Sequence, residues 1–235
     1  MKTVCLTFDD GLQSHYDFVR PLLKKNNLKG TFFITDNKTL WSGDTTPIDE
    51  REGAMDKKSL KKLESDGFEL GNHTVTHPNL KTTYDKLIRE EVQEMTNKLQ
   101  AYGLKKPTTF CYPSYHSDSR VQGVLRSMGF KFARTGYIKE ELTEPPQPHD
   151  REKVYYYTPQ EADKMSIKST GIFNDTYGFT HFAADVEKMP VGSVGIFTFH
   201  GFAKQSLADE FTKIVGYIVE NNIKTINFED LPDDK

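Results

Sequence analysis

Residues 3–11 read TVCLTFDDG, and this short stretch decides the fold class of the 235-residue chain. Residues 3–8 form a β-prone apolar run that stops abruptly at Asp9, Asp10 and Gly11. Apolar residues then return at helical spacing between positions 16 and 23. A buried strand, a polar turn and an amphipathic helix form the repeating unit of an α/β protein.

The same alternation recurs along the chain and predicts about seven strand–helix units. We expect strands near residues 3–8, 30–34, 68–71, 108–112, 130–133, 194–199 and 224–228. We expect helices near residues 16–23, 59–66, 84–102, 121–128, 180–188 and 207–220. Polar residues directly after successive strands are typical of a parallel barrel whose site lies at the C-terminal ends of its strands. The predicted fold is a deformed (β/α) barrel, formed as a single domain over residues 1–235.

The alternation breaks between about residues 138 and 176. This segment is first rich in proline and charge, at residues 144–150, and then aromatic, at residues 154–157. Loops of this length are usually functional or disordered, and the tyrosines favour some packing. We therefore expect a long loop excursion over the mouth of the barrel.

Composition and charge limit the classes of partner and the cellular location that we expect for the protein. The formal charge of −3 and the pI near 6.2 give no basic field for nucleic acid, so a weakly charged substrate fits better. Cys5 and Cys111 are far apart, which argues against a disulfide framework or a thiolate zinc site. No membrane-length apolar stretch and no signal-peptide core is present, so we expect a cytoplasmic protein, or an extracytoplasmic one if a leader precedes this sequence. The oligomeric state stays open.

Three segments could together form one active site. They supply the carboxylates of Asp9 and Asp10, the imidazoles of His73 and His77, and the imidazole of His200. A divalent metal bound by one aspartate and the His73/His77 pair would leave Asp9 and His200 free to move protons. Adjacent carboxylates at a strand end point in different directions, so their roles can differ. This is a minimal set of groups for hydrolysis.

Each motif alone has a plainer interpretation. Asp and Gly are ordinary turn residues, and single histidines more often form hydrogen bonds than bind metals. Pro78 shows that any helix carrying the His73/His77 pair must be short. The combination is far more specific than its parts.

The combination resembles the NodB-homology polysaccharide deacetylases, carbohydrate esterases that remove N-acetyl groups from chitin, peptidoglycan and related glycans. The resemblance covers roughly residues 3–135 and 190–230 and leaves out the excursion. The segments that carry it are residues 7–11, 30–33, 73–77, 110–115 and 198–200.

The resemblance implies a role for each principal residue. Asp10, His73 and His77 would hold one divalent metal, commonly zinc in the family, with cobalt, nickel, manganese or iron as alternatives. Asp9 would be the general base that takes a proton from the attacking water. His200 would be the general acid that donates to the leaving amine.

The third segment is implied to serve the oxyanion and the substrate. The backbone N–H of Ser114, where the family often has tyrosine, would stabilise the oxyanion, and Tyr112 and Pro113 belong to the same motif. Tyr115 stands where the family usually has glycine. Trp41, in an early loop, is a candidate platform for a sugar ring.

Asp9 and His200 are called the proton-transfer pair below. Two departures from the family pattern concern the groups that support this pair. Cys111 stands where many members have an arginine that holds the base, and we hypothesise that Arg134, after the next strand, reaches Asp9 instead. The family's Asp and Trp pair that supports the acid histidine has no clear counterpart. Asp150 and Asp175 are weak candidates for the missing carboxylate.

Three functions remain open at this point. The first is a metal-dependent amide hydrolase, a polysaccharide or oligosaccharide N-deacetylase acting on N-acetylated carbohydrate. The second keeps the fold and the metal but acts on a small amide, as in relatives resembling allantoinases. The third is a carbohydrate-binding protein with a decayed site.

Overall fold

A computed structural model describes residues 2–36, 53–136, 154–160 and 163–233. Its strands are β1 (Thr3–Phe8), β2 (Thr31–Ile34), β3 (Glu69–Asn72), β4 (Thr109–Cys111), β5 (Phe132–Thr135), β6 (Ile167–Lys168), β7 (Gly171–Ile172), β8 (Val194–Phe199) and β9 (Lys224–Ile226). Its α-helices are α1 (Arg20–Lys25), α2 (Lys57–Ser65), α3 (Asp85–Ala101), α4 (Ser119–Ser127), α5 (Phe179–Lys188) and α6 (Gln205–Glu220). A π-helical turn, His15–Val19, leads into α1.

The strands form one curled sheet. Its order is β6-β5-β4-β3-β2-β1-β8-β7, and β9 pairs with the N-terminal half of β1. Every pairing between these strands is parallel. The C-terminal ends of the strands therefore share one rim, as the sequence predicted for a parallel barrel.

Part of the expected loop excursion is instead part of the sheet, which corrects the prediction for residues 138–176. β6 pairs with β5, whereas β7 pairs with β8, so one bent segment of chain joins the two ends of the sheet. At the bend, the backbone N–H of Ser169 bonds to Thr135 O and that of Thr170 bonds to Ile196 O. β6 and β7 have only two residues each and are separated by Ser169 and Thr170, so the sequence contains no apolar run that would predict them. Residues 138–153 and 161–162 of the excursion lie outside the described residues.

Period-2 alternation along the strands separates a barrel interior from an outer layer. In β1, Val4, Leu6 and Phe8 face the outer core under the helices, and Cys5 belongs to the inner cluster. The members of that inner cluster are Cys5, Phe33, Cys111, Phe132, Tyr157, Ile167, Val194, Ile196, Ile226, Phe228 and Leu231. Arg134, two residues beyond the inner Phe132, lies on the same face of β5.

The helices cover the outside of the sheet with amphipathic faces. In α3 the buried positions Ile88, Val92, Met95 and Leu99 follow helical spacing, as the sequence predicted. In α6 the stripe is Phe211, Ile214, Val215 and Ile218. Among the described residues no helix is both long and apolar enough to cross a bilayer.

Candidate metal centre and proton-transfer site

The candidate residues meet at the rim because they occupy inward positions of neighbouring strands. Asp9 follows β1, His73 follows β3, and His200 follows β8. Cys111 ends β4, and Arg134, its partner in register, lies in β5. The parallel sheet thus brings together residues that are up to 191 positions apart in the chain.

Asp10, His73 and His77 offer three ligand atoms to one point. These atoms all lie within 4.8 Å of one another. Asp10 Oδ1 is 3.4 Å from His73 Nε2 and 3.7 Å from His77 Nε2. The same Oδ1 atom is buried without a hydrogen-bond partner, a cost that a cation would remove. A carboxylate and two imidazoles suit a divalent transition metal, so the residues present fit such an ion.

The backbone around these ligands adopts conformations that most residues avoid. Asp10 and Gly11 have φ values of 73° and 64°, so the chain turns sharply as it leaves β1. Thr74 and His77 have φ values of 65° and 57°. Strained residues of this kind cluster at functional sites, where the surrounding structure must hold them.

Hydrogen bonds fix the orientation of the histidine loop. His73 Nδ1 donates to the carbonyl oxygen of Cys111 at 2.7 Å, which leaves Nε2 directed at Asp10. Asn72 accepts from Thr74 N through Oδ1 and donates to Val92 O and Thr96 Oγ1 of α3. The sequence did not single out Asn72 as a supporting residue, and its only signal was its place directly before His73.

Glu91 of α3 is a second residue that supports the histidine loop. From α3, its carboxylate accepts hydrogen bonds from Val75 N, Thr76 N and Thr76 Oγ1, at 2.6 to 2.9 Å. The loop between the two histidines is therefore tied to α3 at several points. No local sequence signal marks this contact, because Glu91 and Thr76 are 15 residues apart.

The electrostatics of the two histidines differ. Burial and the neighbouring His73 lower the pKa of His77 to about 4, so its imidazole is neutral near pH 7 and offers a lone pair. Burial opposes protonation of His73, but Cys111, Asp10 and Asp9 outweigh it and raise its pKa. A ligand imidazole must be neutral, so binding of a cation at His73 competes with its protonation.

Arg134 reaches Asp9, as the sequence hypothesis required. Its Nη2 donates to both carboxylate oxygens of Asp9 at 2.5 Å and to Cys111 Sγ at 2.7 Å. The Arg134 side chain is fully buried, and the side chain of Asp9 is 2% exposed. Burial opposes ionisation of Asp9, but Arg134, with His73 and His200, prevails and holds the pKa of this carboxyl below its usual range. Asp9 is an anchored, ionised carboxylate.

His200 lies at the opening of the site. Its side chain is 41% exposed, and its Nε2 is 3.8 Å from Asp9 Oδ2 and 3.4 Å from the hydroxyl of Tyr115. The buried His15 donates from Nε2 to the backbone oxygen of His200 at 3.0 Å. The sequence analysis gave no role to His15, which precedes α1 and carried no motif. Asp9 and His200 are close enough to act on one substrate.

The turn after β4 presents Ser114 and Tyr115 in consecutive left-handed conformations, with φ values of 51° and 63°. Tyr115 N donates to Tyr112 O, and His116 N donates to Pro113 O. Ser114 is exposed at this turn, so its backbone N–H stays a candidate oxyanion donor.

Other predicted site residues are buried, are paired with another residue, or fall outside the described residues. The side chain of Tyr112 is not available to a substrate, because it is fully buried in the outer core and donates to Met165 O at 2.8 Å. Pro113 is buried and begins the turn. Asp175 pairs with Lys204 at 2.9 Å, and no contact of Asp175 with His200 is among those of the described residues. Trp41 and Asp150 lie outside the described residues.

The sequence of the chain matches the family model described as polysaccharide deacetylase over residues 1–133. The chain belongs to the polysaccharide deacetylase family. The match includes the segments that carry both aspartates and the His73/His77 pair, and it ends one residue before Arg134.

Two curated relatives share this family region. A chitin deacetylase from Colletotrichum lindemuthianum is 27% identical over 135 residues, which cover 56% of this chain and 50% of that protein. The peptidoglycan-N-acetylmuramic acid deacetylase PdaA of Bacillus subtilis is 32% identical over 115 residues, 45% of this chain and 38% of that protein. The chain spans half or less of the length of these two relatives.

Solved structures share the fold over nearly the whole described architecture. The family 4 carbohydrate esterase PdaA of B. subtilis covers 98% of this chain and 80% of its own, with a TM-score of 0.62 at 18% identity. The peptidoglycan N-acetylglucosamine deacetylase Bc1960 covers 98% and 87%, with a TM-score of 0.65 at 15% identity. The predicted deformed (β/α) barrel of the NodB type is confirmed.

Proposed function

We propose that this chain is a metal-dependent amide hydrolase that removes N-acetyl groups from an amino-sugar glycan or oligosaccharide. The observation that carries the proposal is the convergence of Asp10, His73 and His77 on one point beside an anchored Asp9. Relatives named as chitin and peptidoglycan deacetylases support the substrate class.

Asp10, His73 and His77 would hold the metal. The bound ion would supply Lewis acidity to a water molecule and to the amide carbonyl. Two imidazoles and one carboxylate form a donor set that zinc favours, with cobalt, nickel, manganese and iron as alternatives. The hydrogen bond from His73 Nδ1 to the Cys111 carbonyl keeps Nε2 available for this role.

Asp9 is proposed as the general base. Arg134 keeps it ionised and fixes its orientation, so it can accept the proton of the attacking water. Since Arg134 Nη2 contacts both oxygens, the carboxylate cannot rotate freely toward another partner. Arg134 is a positioning residue in this scheme, in place of the arginine expected at Cys111.

His200 is proposed as the general acid. Its Nε2 lies 3.8 Å from Asp9 Oδ2, and its partial exposure lets a leaving amine approach. Amines leave poorly unless protonated, so a general acid contributes roughly 10²–10⁴-fold to the rate. The exposed turn at Ser114 would offer its backbone N–H to the oxyanion of the tetrahedral intermediate.

The test is acetate release from a panel of N-acetylated substrates by the metal-loaded protein. The panel contains chitin oligosaccharides and peptidoglycan fragments. Allantoin, a small cyclic amide without an acetyl group, represents the alternative substrate class, and its ring opening is measured in a separate assay. Asp9→Asn should lower kcat by at least about 10²-fold. Asp175→Asn, a matched change at an exposed ion pair, should leave kcat unchanged.

Each outcome separates the functions left open by the sequence. Acetate from a glycan, lost on chelation, supports the proposal. Hydrolysis of the small amide alone would move the function to the allantoinase-like class. Metal binding without hydrolysis of any panel member, or binding of glycan without metal, would overturn the proposal.

A further inference from the structure

The ring of Tyr115 packs against Gly136, although the backbone of Tyr115 adopts a conformation that suits glycine. Its φ is 63°, and Thr135 Oγ1 donates to its carbonyl oxygen at 2.7 Å. A Cβ atom added at Gly136 would lie 2.6 Å from the Tyr115 ring. The bare glycine therefore makes room for the phenol. A large side chain held in an unfavourable backbone conformation needs an explanation in function.

Tyr115 contacts Arg134, which anchors the base Asp9, and it also contacts the acid His200. The guanidinium of Arg134, which anchors Asp9, lies 5.5 Å from the ring centroid. The hydroxyl lies 3.4 Å from His200 Nε2, a long contact of the kind that tightens when substrate binds. Burial raises the pKa of Tyr115, so its hydroxyl keeps its proton and can donate or accept.

His200 lacks a carboxylate on its other ring nitrogen among the residues that the structure describes. Asp9 is the one carboxylate paired with it there, and that pair uses the same Nε2 atom. The hydrogen bond from His15 reaches the backbone oxygen of His200. Within the described part of the chain, the Tyr115 hydroxyl at 3.4 Å lies closer to Nε2 than Asp9 Oδ2 at 3.8 Å, so it can orient the imidazole.

We propose that Tyr115 is the positioning residue of the general acid: its hydroxyl oxygen accepts from His200 Nε2–H and holds that proton at the reacting centre, from where it passes to the leaving amine. The inference rests on the proposed function, in which His200 protonates the leaving amine. The hydroxyl of Tyr115 keeps its own proton throughout. By contacting Arg134 as well, the ring sets the spacing between the base and the acid.

The test compares Tyr115→Phe with Tyr156→Phe in the full metal-loaded chain. The Tyr156 hydroxyl bonds to Asp185 O, and Tyr156 packs against the outer core, so its loss is a matched change away from the site. For Tyr115→Phe we expect kcat on an N-acetyl sugar to fall about 10-fold, with KM changed less than about twofold. Tyr156→Phe should leave both constants unchanged.

A better leaving group separates positioning of the acid from a structural role. An activated anilide, 4-nitroacetanilide, needs little protonation of its leaving group, so the kcat loss of Tyr115→Phe should shrink to less than about twofold. An equal loss on both substrates would overturn the proposal, because it would reflect a general disturbance. Unchanged kcat on the sugar would also overturn it.

If the wild type releases no acetate, that result counts against the proposed function and not against the contact between Tyr115 and His200. A spectroscopic measurement then tests this contact directly. The ¹⁵Nε2 resonance of His200, assigned through His200→Gln, is measured in the metal-free protein. Tyr115→Phe should move this resonance, and Tyr156→Phe should not. An unmoved resonance in Tyr115→Phe would overturn the contact on which the inference depends.

Discussion

Replacing Arg134 by methionine should destabilise the protein far more than removal of a surface arginine. Both partners of the Arg134–Asp9 pair are at most 2% exposed, so the change leaves a buried carboxylate without its counter-charge. Breaking a buried pair in this way costs about 3–5 kcal/mol. The matched control is Arg126→Met, because Arg126 pairs with Asp163 at 2.8 Å with both side chains about half exposed. That pair contributes about 0–1 kcal/mol.

The assay is urea unfolding of the metal-free protein at pH 7, with the midpoint compared at an unchanged m-value. A double variant, Asp9→Asn with Arg134→Met, removes both charges and should recover part of the lost stability. Activity should not recover, because the base is absent. A loss below about 1 kcal/mol for Arg134→Met, equal to that of Arg126→Met, would refute the buried pair.

The pH dependence of the same comparison has a definite sign. Burial opposes ionisation of Asp9, but Arg134 prevails and holds the folded pKa below the usual value of 3.8. A depressed carboxyl pKa contributes stability above the unfolded value, and this contribution is lost as the pH falls through the folded value. The gap between wild type and Arg134→Met should therefore be full at pH 7 and narrow below about pH 4.

Three further changes test other parts of the account. Burial raises the pKa of Glu69 to about 7 from 4.5. The free energy of unfolding of the wild type should therefore fall by about 3 kcal/mol between pH 4.5 and 7. The free energy of unfolding of Glu69→Gln should lack most of this decline. Tyr112→Phe should lose about 1 kcal/mol of stability by removing the bond to Met165, with kcat unchanged, and a lower kcat would restore Tyr112 to the site. Asn72→Ala should weaken metal affinity by about 10–100-fold in a competition assay, because it removes the hydrogen bond to Thr74 N and two hydrogen bonds to α3. Unaltered affinity would show that the histidine loop does not need this support.

The sequence predicted the elements that repeat a simple pattern. Residues 3–8 and 194–199 are strands at the predicted bounds, because a buried parallel strand is a continuous apolar run. The His73/His77 pair and Asp10 were found because they follow such strands directly. β6 and β7 were missed because two-residue strands of mixed polarity leave no pattern to detect.

The supporting contacts of the site depend on distances that no local pattern contains. Arg134 could be proposed for Asp9 because strand order places β5 beside β4, and the structure confirms the contact. The contact of Tyr115 with His200 could not be foreseen, since it requires a left-handed backbone at position 115 and a bare glycine at 136. The cytoplasmic placement and the single-domain boundaries stay predictions.

A metal titration of activity tests whether Asp10, His73 and His77 hold a catalytic ion. The protein is stripped with a chelator, dialysed and titrated with Zn²⁺ while acetate release from an N-acetylated oligosaccharide is measured. Activity should rise linearly to one equivalent per chain and then stay constant, and Asp10→Asn should show no such rise. Acetate release that is complete in the stripped protein, or a rise that is the same in Asp10→Asn, would contradict the account.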